Sequence, residues 1–263
     1  SLWRNTLLLG IGAVHAAFWF GDVLMLYAVC SPVLLLLRTR SARTLFIAGG
    51  ICLALSALTM AAVQGEIEAA DLGDYWTDEN VAQSEDVGFA VIVDFGMRAL
   101  GAMLIGVGLF RADIIQGRRP AEFYRRLAAW SLGIGVPLSI LGVAIHLAND
   151  WNPDVALVGA VPNILATVPM AIGYIALITR WNQRDDTRLH ERVRAVGRMA
   201  LTNYLTQTIM GLTILGAVIG VGELRRAEIF VFILIVWVVQ LAWSEPWLKR
   251  FRFGPFEWLW RVA

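Results

Sequence analysis

An all-α polytopic membrane protein of about eight transmembrane helices, closed by an interfacial C-terminal tail, is the fold class this sequence predicts. Three observations predict it. Of 263 residues, 58% are hydrophobic, against about 45–50% in a typical soluble domain, and the mean hydropathy is +0.63. Apolar stretches of bilayer-spanning length alternate with short loops. The loops also alternate in sign. Residues 64–88 carry Glu66, Glu68, Asp71, Asp74, Asp78, Glu79, Glu85 and Asp86 with no Lys or Arg, whereas 111–126 carry Arg111, Arg118, Arg119, Arg125 and Arg126.

In order, the spans fall at residues 5–20, 22–37, 44–63, 89–110, 127–148, 154–179, 197–220 and 227–244. Each approaches the ~20 residues that cross ~30 Å of hydrocarbon. The first two are short and meet at Phe20-Gly21-Asp22, so they read either as one helical hairpin or as two tilted spans. Pro137 interrupts span five, and Pro162 and Pro169 interrupt span six, where kinks bordering a cavity are expected. With eight spans, Arg4, the Arg38–Arg43 cluster, the five arginines of 111–126, Arg180 to Arg194 and the Lys249–Arg252 cluster share one side. The positive-inside rule makes that side cytoplasmic, and both termini of the segment with it. Only Arg225 and Arg226 run against the pattern.

The whole of 1–263 reads as one helical domain in the cell membrane, multi-pass, with the bilayer as its first partner. The acidic loop 64–88 falls on the extracytoplasmic side, either simply solvated or anchored at the interface by Tyr75 and Trp76. The tail 245–263 is no span, because Lys249, Arg250, Arg252, Glu257 and Arg261 interrupt it. It reads as an interfacial amphipathic segment broken at Gly254-Pro255. The net charge of +1 is sorted by loop rather than gathered on one face, so nucleic acid is not an expected partner. Cys30 and Cys52 lie in apolar runs as small buried hydrophobes. No Walker loop, HExxH, CxxC or GxSxG is present, so no metal site is expected. Oligomeric state is left open, and a homodimer is compatible with the pattern.

Ionisable groups in hydrocarbon are costly and point to function. His15 lies near the outer end of span one, and Asp22 starts span two. The turn can bring them together, so that the carboxylate fixes the imidazole tautomer for use as a general base or nucleophile. Alternatively, Asp22 only caps span two while His15 sits at the wet interface. Asp94 and Arg98, four apart on span four, share a face as a cavity pair or a structural ion pair. Asn203 and Gln207 are likewise four apart on span seven, lining a cavity or bonding neighbouring helices. Arg198, at the cytoplasmic start of that span, is placed to meet a phosphate. His146 reads as an interfacial histidine, and His190 as a solvated one in the basic loop.

Three stretches carry a resemblance. Gly12-Ala-Val-His15 followed by Gly21-Asp22-Val-Leu-Met-Leu-Tyr27-Ala28 resembles the YeiB family of bacterial membrane proteins. So do Gly197-Arg198-Met-Ala-Leu-Thr-Asn203-Tyr204-Leu-Thr-Gln207 and Gly254-Pro255-Phe-Glu257-Trp258-Leu-Trp260-Arg261, the latter two within the family's domain of unknown function 418. The resemblance implies a bacterial inner-membrane protein, normally preceded by further N-terminal spans. The family is in turn distantly similar to transmembrane acyltransferases, including heparan-alpha-glucosaminide N-acetyltransferases and sugar O-acyltransferases, in which a membrane-embedded His is central.

That similarity implies transfer of an acyl group from cytoplasmic acyl-CoA or acetyl-CoA to an extracytoplasmic sugar, glycan or lipid acceptor. His15 would be the base or transient acyl carrier, Asp22 its orienting partner, and Arg198 the contact for CoA phosphates. Asn203 and Gln207 would line the cavity. Two other functions fit the same chain: a transporter of a small solute or lipid, and a non-catalytic scaffold subunit.

Overall fold

The computed structural model describes residues 2–19, 21–66, 85–184, 186–220 and 224–262, and every regular element among them is helical. The acidic loop, with Tyr75 and Trp76, falls largely on 67–84, outside the described residues. The helices are α1 (Leu2–Ala16), α2 (Leu24–Leu37), α3 (Ala42–Glu66), α4 (Glu85–Arg111), α5 (Ala121–Ala148), α6 (Val161–Asn182), α7 (Arg188–Arg198), α8 (Ala200–Met210), α9 (Arg226–Arg250) and α10 (Pro255–Val262). A nine-residue π-helical segment, Gly211–Ile219, continues α8 without a break.

Among the described residues, five segments are long and apolar enough to cross a bilayer: Ala42–Gly65, Val91–Arg111, Ala121–Ala148, Val158–Asn182 and Ala227–Arg250. They match five of the eight predicted spans. The other three predicted spans take a different form. With 15 and 14 residues, α1 and α2 reach only ~22 Å at 1.5 Å per residue. The segment read as 197–220 is broken at Met199, which leaves helical geometry (φ −110°, ψ 30°) between α7 and α8. Large apolar side chains lie exposed along the helices, among them Trp130, Ile92, Leu36 and Val238. An outward apolar surface of this kind suits lipid and not water.

The chain divides into two compact units. One comprises residues 1–28 with 185–263, the other residues 29–184. In the second, α3 packs on α4 and α5 on α6. The α3–α4 crossing requires glycine on both sides: a Cβ on Gly49 would lie 2.8 Å from the Gly101 carbonyl oxygen, and one on Gly101 2.9 Å from that of Gly49. Small residues at such crossings let membrane helices approach closely. Leu53, Ile105 and Leu109 pack there with Phe46, Val168 and Ile172. Beside them Asp94, only 3% exposed, accepts a 2.5 Å bond from Ser56 Oγ and pairs with Arg98 on its own helix.

Pro162 does not interrupt span six. It lies in the first turn of α6, where the missing N–H has no helical partner to lose, while Pro169 and Pro137 sit inside helices that continue past them. His146 stacks on Trp151 at 5.3 Å where α5 ends. Cys30 and Cys52 are both free thiols.

In the first unit, α7 packs on α9, α8 on α9 and α10, and α1 on α10. His190 is not a solvated loop residue. It is buried in the first turn of α7, where its Nδ1 accepts from the Thr187 backbone N–H at 3.2 Å and lies 2.8 Å from the Thr187 hydroxyl. The tail is divided between two helices. Residues up to Arg250 belong to α9, and α10, beginning at Pro255, is docked on α8 and α1. Glu257 is buried and accepts from the Thr202 N–H (2.9 Å) and hydroxyl (2.6 Å), satisfying a first-turn donor of α8 left free by the Met199 break. Trp260 Nε1 donates to the Arg4 carbonyl at 2.9 Å.

Candidate active site

The site is built at the end of α1. His15 lies in its last turn, and the chain reverses through Phe18 and Trp19, whose N–H groups both return to the His15 carbonyl (3.0 and 2.9 Å). Asp22 follows just before α2. Gly12 lets α1 press against the start of α2: a Cβ there would lie 2.5 Å from the Met25 nitrogen. The close approach puts His15 Nδ1 2.7 Å from Asp22 Oδ1, with the two side chains 6% and 1% exposed. The second carboxylate oxygen accepts the Met25 N–H at 2.8 Å. Asp22 therefore does both things the sequence suggested. One oxygen caps α2 and the other holds the imidazole, so the cap fixes where the carboxylate points.

An ionised Asp22 places the ring proton on Nδ1, which leaves Nε2 as an acceptor. Nε2 faces the Thr208 hydroxyl of α8 at 2.8 Å, so Thr208 donates. Tyr204, one turn earlier on α8, lies with its ring 5.0 Å from the imidazole. Its hydroxyl accepts the Val23 N–H at 3.4 Å and donates to Asp22 Oδ1 at 3.5 Å. The result is a buried Asp–His–hydroxyl line whose open end is Thr208.

Two cavities border this line, and a third lies against Tyr204. An apolar one of ≈ 670 Å³, walled by Ile11, Val14, Phe18, Ile209 and Leu212, ends on His15 and Thr208. A second, ≈ 480 Å³, holds Gln207, Tyr204, Trp19 and Thr208 and runs along Gly211, Leu215 and Gly216 of the π segment. A third, ≈ 550 Å³, brings Arg198, Glu257 and Trp260 to the other flank of Tyr204. All three have volumes typical of small-molecule sites.

Sequence reasoning singled out seven residues, and the structure disposes them differently. His15 and Asp22 meet. Gln207 faces the second cavity while its Nε2 donates to Gln240 Oε1 at 2.9 Å. Asn203 does not face these cavities. Its amide nitrogen donates to the Val196 carbonyl (3.1 Å) and Ser244 Oγ (3.2 Å), and its oxygen accepts from Trp243 Nε1 (2.9 Å). It is a clasp between α8 and α9. Arg198 lines the third cavity and donates to the Arg252 carbonyl at 3.4 Å. Asp94 and Arg98 belong to the other unit, closed upon Ser56. The sequence reading missed Thr208, Tyr204 and Glu257. Thr208 and Tyr204 are four apart and share a helical face, a signal overshadowed by the more polar Asn203–Gln207 pair.

Residues 109–263 match the family described as "Protein of unknown function (DUF418)". Over 284 aligned residues the chain is 30% identical to the uncharacterized protein YeiB of Escherichia coli K12, covering 98% of this chain and 74% of that one. It is 28% identical over 300 residues to the uncharacterized protein YxaH of Bacillus subtilis 168, covering 99% and 70%. A shorter match, 37% over 76 residues, is to an uncharacterized 39.9 kDa protein in the amylase 3′ region of Bacillus acidopullulyticus, covering 28% of this chain and 22% of that one. No solved structure matches.

Proposed function

The chain belongs to the DUF418 family and is an integral membrane protein, and from that premise we propose that it is a transmembrane acyltransferase. In this reading it moves an acyl group from a cytoplasmic acyl-CoA to a hydroxyl or amine of an extracytoplasmic sugar, glycan or lipid. The observation that carries the reading is the line from Asp22 through His15 to a hydroxyl, set at the end of an apolar cavity. Acyl transfer needs a base for the attacking group and an acid for the leaving group. An imidazole fixed in one tautomer by a carboxylate supplies both in turn. Because its two nitrogens are bonded on opposite sides, His15 suits the role of base better than that of acyl carrier.

The flanking cavities fit the rest of the reaction. Arg198 offers a guanidinium for CoA phosphates in the third cavity. Gln207 gives the second cavity a polar group for the acceptor. The proposal includes the eight-crossing topology, with α1, α2 and the run from α8 through the π segment as tilted or partial crossings. Its basic loops are cytoplasmic and its acidic loop lies outside.

Radiolabelled acetyl-CoA, incubated with the purified protein in detergent and its own lipid extract, tests the reading. Label is expected to pass to protein or lipid in the wild type and to be lost in His15→Ala. Absence of both binding and transfer across a series of acyl-CoA chain lengths would overturn it, and ligand flux without covalent change would favour transport instead.

A further inference from the structure

We propose that Thr208 is the nucleophile of this site and carries the acyl group covalently between donor and acceptor. The inference rests on the acyl-transfer reading above and goes one step further, since a base alone would need no intermediate on the protein.

Four observations lead to it. Thr208 Oγ1 lies 2.8 Å from His15 Nε2, and the opposite ring nitrogen lies 2.7 Å from Asp22. This is the arrangement by which a neutral hydroxyl loses its proton as it attacks. The second is a contrast along one helical run. Buried or lipid-facing threonines ordinarily return their hydroxyls to a carbonyl one turn back. Thr206 does so, to Thr202 and Asn203 (2.9 and 3.0 Å), and Thr213 does so, to Ile209 (2.6 Å). Thr208, between them, turns its hydroxyl to another helix instead. Third, Thr208 borders both the ≈ 670 Å³ apolar cavity and the ≈ 480 Å³ cavity that holds Gln207. A group in either chamber reaches the same oxygen, as a two-step transfer requires. Fourth, the backbone beyond Thr208 opens into the π segment at Gly211, a rare geometry that is frequent at functional sites.

The steps balance. Thr208 Oγ1 attacks the thioester carbonyl as its proton passes to His15 Nε2, and the new O–C bond gives a tetrahedral intermediate. The C–S bond then breaks, and the departing sulfur takes the proton from His15, leaving an ester on Thr208 and a free thiol. An acceptor hydroxyl next attacks the ester carbonyl and gives its proton to Nε2. The Thr208 O–C bond breaks, and the proton returns to Oγ1. The net change is thioester plus alcohol to thiol plus ester, with the protein restored. Asp22 stabilises the imidazolium in both halves and takes no proton itself.

An alkyl fluorophosphonate carrying a reporter tests the nucleophile without knowledge of the natural substrate. It bonds to an activated hydroxyl with loss of fluoride, and its alkyl chain suits the apolar cavity. The wild type should take the adduct at residue 208, mapped by mass spectrometry, and Thr208→Ser should keep it. Thr208→Val and His15→Gln should lose it by about 100-fold or more. Monodispersity of each variant in detergent guards against misfolding. Acetyl-CoA transfer, measured in parallel, separates the two proposals. Transfer that survives in Thr208→Val, or a wild type with no adduct at residue 208, overturns the nucleophile. An adduct at residue 208 without transfer from any acyl-CoA upholds the nucleophile and overturns the donor.

Discussion

Two buried aspartates, one in each compact unit, face a basic partner, and their surroundings differ. Asp94 pairs with Arg98 four residues along the same helix, and its other oxygen takes the Ser56 hydroxyl. The guanidinium is always charged, so the pair has no proton to move. Asp22 instead meets a titratable ring across a turn. That ring passes the contact on to a hydroxyl standing between two cavities. Both carboxylates are almost wholly shielded, so burial does not distinguish them. A buried carboxylate can take part in proton transfer when its partner is an imidazole with a hydroxyl on its far side.

The largest expected effect comes from Asp22→Asn. The amide would still cap α2 through its oxygen but would no longer hold Nδ1–H as a carboxylate does, so His15 would adopt the wrong tautomer. Acyl transfer should fall by about 10³-fold, measured as initial rate, with little change in melting temperature. Gly12→Val attacks the same geometry indirectly. Its Cβ cannot coexist with the Met25 nitrogen at 2.5 Å, so the start of α2 must move and separate Asp22 from His15. Misplacement by about 1 Å costs on the order of 10²-fold, and the rate at saturating donor reads it.

Asp94→Asn should reverse the pattern. Leaving Arg98 uncompensated costs roughly 2–3 kcal/mol, below the figure for a fully buried pair because Arg98 is 30% exposed. Transfer per folded molecule should be unchanged. Asn203→Ala is the mildest. It strips Trp243 Nε1 and Ser244 of their partner, at about 1–2 kcal/mol, again with the rate intact. A loss of rate larger than the loss of folded protein would show that the α8–α9 clasp also positions Thr208.

The contrast also explains what sequence could show. The five long spans are legible because hydropathy is a local property of the chain. The His15–Asp22 pairing is legible because seven residues and one turn separate the two. The break at Met199 is not, since the charged stretch before it and the apolar stretch after it both read as helix. The acceptor of the freed Thr202 N–H, Glu257, lies 55 residues away. Thr208 is hidden for a different reason. A threonine in a helix has the same local signature whether it bonds its own carbonyl, as Thr206 does, or reaches another helix 193 residues distant in sequence. His190 misled because a charged surrounding sequence suggested solvent, whereas its ring caps the helix it begins.

The most direct measurement sets Asp22→Asn beside Asp94→Asn and reads both acetyl transfer from labelled acetyl-CoA and melting temperature in the same detergent. The account predicts a crossover, with Asp22→Asn stable and inactive, and Asp94→Asn destabilised and active per folded molecule. Two variants that lose rate and stability in the same proportion, or an Asp22→Asn that transfers acetyl like the wild type, would contradict it.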